Sequence, residues 1–264
     1  MIIPLRRLGK FVAVAFLVAS AFATIAYASH SWGPYHWARA LNPFTLKIGD
    51  NVSTVWDSHL VVASTDWSVS SELDTTVVAG QAKANCRPTG GRVEVCNKTY
   101  GFNGWLGIAS IWVSGSHITQ GTVKVNDTYF NNAPYNTSAW RQFVMCQEIG
   151  HTFGLDHQDV NFSNANLGTC MDYTSDPDGT INSQLDNQHP NQHDYDQLAT
   201  IYTHLDSITT IVQTVSNLRG NDNAADADDD TGKVLRKDNK GRPALYERDL
   251  GKGEKLFTFI YWVE

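Results

Sequence analysis

The sequence predicts an α+β domain: a twisted mixed β-sheet carrying one long helix, with a second helix closing it. Three observations point there. Five short stretches with strand character, at 45–49, 74–80, 92–96, 107–113 and 121–126, precede residue 130. Residues 138–153 then place apolar side chains at helical spacing behind the capping run Asn136-Thr137-Ser138. Finally, Tyr195, Leu198, Ile201, Tyr202 and Leu205 share one side of a helix over 192–205.

The elements follow in order. Arg6, Arg7 and Lys10 precede an apolar run over 11–26 and the small-x-small signature Ala26-Tyr27-Ala28, which reads as a signal peptide over 1–28 with Ser29 as the mature start. The run is short of the about 20 residues a membrane span needs, so a secreted, extracellular monomer with no membrane contact after cleavage is expected. Residues 29–44 form an aromatic lead-in in which His30 and His36 read as packing residues. Val52, Val55, Trp56 and Leu60 give 51–62 the spacing of an amphipathic surface helix. The stretch 174–191 is a polar loop whose Asp176, Asp178 and Asp186 read as solvated rather than calcium-binding. Pro190 breaks any helical pairing of His189 with His193.

Residues 219–232 form an acidic linker. They fail as a calcium loop, because the glycine falls seventh and Lys237 stands at the twelfth place. Strand-like stretches at 242–246 and 256–263 flank a turn at 249–253, a β-hairpin appendage over 233–264 beyond a main domain at 29–218. The formal net charge of −7 argues against a general nucleic-acid binder.

The chemistry is concentrated in Gln147-Glu148-Ile149-Gly150-His151-Thr152-Phe153-Gly154-Leu155-Asp156-His157. At about 100° per residue, Gln147 and His151 lie on one helix face within reach of a common ion. Glu148 is offset, placed to handle a water. Gly154 permits the reversal that ends a helix, and His157 can then swing back toward the same point. Imidazole ligands, a carboxylate base and an open position suit a catalytic zinc.

This stretch resembles the extended zinc motif of the metzincin metallopeptidases, His-Glu-x-x-His-x-x-Gly-x-x-His followed by a Met-turn. Glu148, His151, Gly154 and His157 match in spacing, whereas Gln147 stands where the family has histidine. Gly168-Thr169-Cys170-Met171-Asp172-Tyr173 resembles the Met-turn, with Met171 beneath the metal and Tyr173 at the place of the tyrosine that some members use as a ligand or transition-state donor. The likeness is specific over 140–173. It implies a metzincin (zincin-like) catalytic domain that holds Zn2+ through Gln147, His151 and His157. Glu148 and Tyr173 would be catalytic, with a protein or peptide substrate paired to an edge strand at 105–113 or 121–126. Asp156 is a second-choice ligand or a residue that orients a histidine, and Asp172 a supporting group.

Export makes the four cysteines readable as disulfides. Cys86 and Cys96 flank the turn 87–91, and a Cys146–Cys170 bridge would staple the active-site helix to the Met-turn. The rival is a thiolate replacing the missing histidine. Cys146 points about 140° away from the metal face, while Cys170 is not placed by spacing. The expected function is a secreted zinc endopeptidase. Its competitors are an inactive metzincin-fold secreted binding protein and a surface protein that the metal merely stabilises.

Overall fold

Alternating apolar side chains at Phe44, Leu46 and Ile48 commit the first long strand to a buried face, and the sheet grows from it. The computed structural model describes residues 30–81, 85–181, 183–211 and 232–264. The expected signal segment and all but the last residue of the expected acidic linker lie outside them. The strands are β1 (His36–Trp37), β2 (Phe44–Asn51), β3 (Leu73–Ala79), β4 (Arg92–Lys98), β5 (Trp105–Ser114), β6 (His117–Asn126), β7 (Lys233–Lys237), β8 (Pro243–Gly251) and β9 (Glu254–Trp262). The helices are α1 (Thr54–Trp67), α2 (Asp127–Phe130), α3 (Ser138–His151) and α4 (Gln192–Ile201).

The described strands form one mixed sheet in the order β3-β2-β4-β6-β5-β9-β8-β7, with β1 paired to β6 off that path. β2, β3, β4 and β6 run parallel, as buried strands joined by crossovers do. β5 turns back antiparallel to β6 and lies against α3.

Two expectations change here. The helix placed at 51–62 begins only at Thr54 and continues to Trp67. Asp50 accepts the Val52 N–H and Asn97 accepts the Ser53 N–H, which holds 52–53 out of the helix. Its buried stripe is Trp56, Leu60, Ala63, Ser64 and Trp67, leaving Val55 exposed. Second, the segment expected as an appendage over 233–264 continues the main sheet. β9 pairs antiparallel along the outer side of β5, from Trp105↔Trp262 to Ser114↔Glu254. An open edge at β5 or β6 for an incoming peptide is therefore absent: β6 is interior and β9 occupies β5. The reason lies in side-chain alternation: Phe257, Phe259 and Tyr261 point to one face and are buried there.

Both expected disulfides are present, Cys86–Cys96 and Cys146–Cys170, with Cα atoms 6.0 and 5.9 Å apart. The thiolate alternative for Cys170 is thereby removed. Among the described residues no helix is long and apolar enough to cross a membrane.

Candidate metal centre

The α3 helix starts where the Thr137 side chain accepts the Trp140 N–H, satisfying one of the orphan donors of the first turn. Its far end is held by three indoles. Trp67 donates to the Cys146 carbonyl at 3.1 Å, Trp32 to His151 at 3.0 Å and Trp37 to Thr152 at 2.9 Å. Each such bond stabilises by about 0.5–1.5 kcal/mol, and together they hold the last turns of the helix in place. The chain then reverses at Gly154, whose φ is 103° and where a Cβ would lie 2.7 Å from the Tyr35 carbonyl oxygen. Only glycine fits both conditions.

That reversal brings His157 back onto His151. Their Nε2 atoms stand 3.0 Å apart and both rings are buried. His151 Nδ1 lies 2.9 Å from the Leu155 carbonyl, which can only accept, so that nitrogen carries the hydrogen and Nε2 is bare. His157 turns Nδ1 toward Asp156 Oδ1 at 3.4 Å, and the same carboxylate takes the His157 backbone N–H at 2.8 Å. Asp156 thus orients a histidine, the second role considered for it; Arg236 of β7 pairs with its other oxygen. Burial pushes both imidazoles below their ordinary range, and Asp156 offsets this in part. Burial alone would raise the Asp156 carboxyl, but the His157 hydrogen bond and the Arg236 charge bring it below its usual value. Where both rings turn a bare Nε2 inward, the lone pairs facing at 3.0 Å repel unless a cation lies between them, whereas a hydrogen on His157 Nε2 makes the pair an ordinary hydrogen bond.

Around this pair sit other polar atoms cut off from water. Gln147 donates its amide nitrogen to the Cys170 carbonyl at 2.8 Å, leaving Oε1 buried and unpartnered. Among the described residues no hydrogen bond joins Gln147 to either histidine. Both Glu148 carboxylate oxygens and the Tyr173 hydroxyl are likewise buried without a hydrogen bond of normal geometry. Burial raises the Glu148 carboxyl well above its ordinary range, with the Ala109 backbone offsetting part of it. Burial raises Tyr173 too, and the nearby Glu148 charge adds to it. Tyr173 packs its ring on His157 with centroids 4.5 Å apart. Met171 lies beneath the helix, where a Cβ on Gly150 would come within 2.7 Å of its sulfur. Asp172 stays outside, its Oδ2 taking N–H groups from Leu167 and Asn187.

Sequence reasoning missed three contributors. Gly107 of β5 lies against Glu148, so close that a Cβ there would be 2.6 Å from the Glu148 Oε1. Arg236 sits in a segment with no strand signal strong enough to place it. Phe259 of β9 stacks on His151, with centroids 4.0 Å apart and planes 11° from parallel. The aromatic stripe Phe257, Phe259, Tyr261 was the available signal, since three rings on one strand face demand a partner surface.

No protein-family model matches the chain, and no curated protein matches it. Solved structures that it resembles include a hatching-enzyme zinc protease from Oryzias latipes (Medaka fish), high choriolytic enzyme 1. That pair shares 11% identity over 64% of this chain and 94% of the other, with a TM-score of 0.36. Two structures of myroilysin match at 11% and 12% identity, covering 67% and 69% of this chain and 83% and 97% of theirs, each with a TM-score of 0.33. Overlaps this loose transfer neither fold nor activity.

Proposed function

We propose that this chain is a secreted zinc-dependent endopeptidase of metzincin type, held closed by its own C-terminal strand. One observation carries the reading: the Nε2 atoms of His151 and His157 meet at 3.0 Å, both rings buried, while the Gln147 amide oxygen and the Glu148 carboxylate of the same helix are buried without hydrogen-bond partners. Buried polar atoms without partners are destabilising, and a divalent cation held by the two imidazoles and the Gln147 oxygen would give those three a partner. The donors fit zinc, which takes imidazole nitrogen and oxygen ligands and leaves a position for water in catalytic sites.

Within that reading His151, His157 and the Gln147 oxygen hold the metal, and Tyr173 offers its hydroxyl to the developing oxyanion. A zinc ion held there would supply Lewis acidity for activating a water. Glu148, kept from full solvation, takes the proton of the attacking water and returns it to the leaving amine. The Cys146–Cys170 bridge and Met171 keep the floor of the centre rigid. A protein or peptide in extended form would pair with β5 once β9 has lifted from it, by main-chain hydrogen bonds that tolerate varied sequences. Two disulfides suit an oxidising compartment.

The second reading, a binding protein without turnover, is favoured by the closure itself: Gln147, Glu148, His151 and Tyr173 are all sealed from solvent. Metal content and casein cleavage, measured on the full chain and on His151→Ala/His157→Ala and Glu148→Gln variants, separate the two. The expected result is zinc that the double histidine variant loses, with chelator-sensitive cleavage that Glu148→Gln abolishes. Zinc at this centre without cleavage, both in the wild-type chain and with β9 loosened, supports the binding reading. An unchanged zinc content in the double histidine variant overturns the metal centre.

A further inference from the structure

Beyond the turn at Gly154, a second group of histidines gathers around one carboxylate. It draws on three parts of the chain: His36 of β1, His117 of β6, and His204 with Asp206 in the stretch after α4. Their Nε2 atoms stand 3.4 Å (His36), 3.2 Å (His117) and 3.7 Å (His204) from the same oxygen, Asp206 Oδ1. The ligand atoms of His36, His117 and Asp206 all lie within 4.8 Å of one another. The other Asp206 oxygen is taken by Arg39, through Nη1 at 3.0 Å and the backbone N–H at 3.2 Å. Arg39 thus fixes the carboxylate and turns Oδ1 toward the rings.

Hydrogen bonding accounts for part of this arrangement, since His117 can donate its Nε2–H to Asp206 at 3.2 Å, but not for His36. His36 Nδ1 lies 3.0 Å from the Pro34 carbonyl. A carbonyl only accepts, so Nδ1 carries the hydrogen, and a neutral His36 aims a bare Nε2 at a carboxylate oxygen. Two lone pairs facing each other require a cation between them. A proton on His36 would give a charge-assisted bond, whose usual length is about 2.7–2.9 Å. The observed 3.4 Å is longer, and so are the other two distances. The His36 and His117 distances match instead the edge of a tetrahedron of ligands, about 3.3 Å when the metal–ligand bonds are about 2.0–2.1 Å, and the exposed His204 stands slightly farther out.

We infer that His36, His117 and Asp206 form a second divalent-metal site, and that His204, 3.7 Å from the same oxygen on the exposed side, turns in as the fourth ligand of a closed structural zinc. Four protein ligands leave no position for a water or a substrate, which separates it from the centre on α3. The Pro34 carbonyl sets the tautomer of His36, the usual role of an outer partner. His36 is buried while His204 is 60% exposed on its side chain, so the ion enters from the His204 side. Its effect is mechanical. It ties β1 to the start of β6 and to the stretch behind α4, and β1 contributes Trp37, whose indole holds the end of α3.

Cobalt(II) is the probe, added to the full chain. The His151→Ala/His157→Ala variant isolates this site, so failure here and failure of the α3 centre are told apart. That variant is expected to bind one cobalt per chain with the visible absorption of a tetrahedral ion. His117→Ala or His204→Ala added to it is expected to weaken binding by more than the 10–100-fold typical of losing an outer partner. In the wild-type background, where all other ligands remain, His117→Ala should lower zinc content by one per chain. Wild-type zinc content untouched by His117→Ala overturns the inference, as does a folded His151→Ala/His157→Ala chain that binds no cobalt.

Discussion

Replacing Phe259 by alanine tests whether β9 closes the proposed catalytic centre. Phe259 is fully buried and its ring lies 4.0 Å from that of His151, centroid to centroid. Truncating a buried phenylalanine destabilises by about 3–5 kcal/mol. The low end applies, because β9 stays hydrogen-bonded along β5 and Tyr261 still donates to the Thr174 carbonyl at 2.9 Å. At roughly 1.4 kcal/mol per factor of ten, losing about 3 kcal/mol of docking raises the population with β9 lifted about 100-fold. Turnover of quenched fluorescent casein should rise by about two orders of magnitude, assayed well below the unfolding transition.

Loss of global stability must be told apart from local opening. The same 3 kcal/mol lowers Tm by about 6–12 °C in a chain of this size. Val95→Ala supplies the control. Val95 is buried in β4, and β6 and β5 separate β4 from β9. It should lower Tm without raising turnover. Adding Glu148→Gln to the Phe259 variant should cancel the gain. A Phe259→Ala chain that melts earlier yet cleaves no faster refutes the closure argument, because the strand would then be lost without freeing any activity.

Two other positions give sharp expectations. Gly107→Ala puts a Cβ 2.6 Å from the Glu148 Oε1 and 2.7 Å from Val144 Cγ1, so the carboxylate must shift. Overpacking of this kind lowers stability by about 1–3 kcal/mol, and an unchanged denaturation midpoint would show that the strand and helix are not in contact there. Asp172 has its carboxyl raised by burial to about 6, from an ordinary value of 3.8. The folded state therefore holds this proton more tightly than the unfolded one, so its contribution is fully present below about pH 4 and is lost as pH rises toward 6. At most about 3 kcal/mol is involved. Asp172→Asn should flatten the fall in Tm between pH 4 and 6 relative to wild type, and identical slopes in the two proteins would contradict the assignment.

The sequence revealed what depends on near neighbours and hid what depends on distant pairing. Helix periodicity placed Gln147, Glu148 and His151 on one turn, and Gly154 predicted the reversal that returns His157, because both follow from backbone geometry over a few residues. The pairing of Cys146 with Cys170 was legible for a related reason: each adjoins a motif that must meet the other. His36 was read as a packing residue since its sequence neighbours are aromatic, yet its partners His117, His204 and Asp206 lie 81, 168 and 170 positions away. No local pattern carries such a meeting. β9 is the instructive middle case. Its stripe of Phe257, Phe259 and Tyr261 announces a buried face but not the surface that buries it, because strand order is set by the whole sheet. In this chain that surface includes His151 of the proposed metal centre, so the same alternation that makes β9 a strand also covers that histidine.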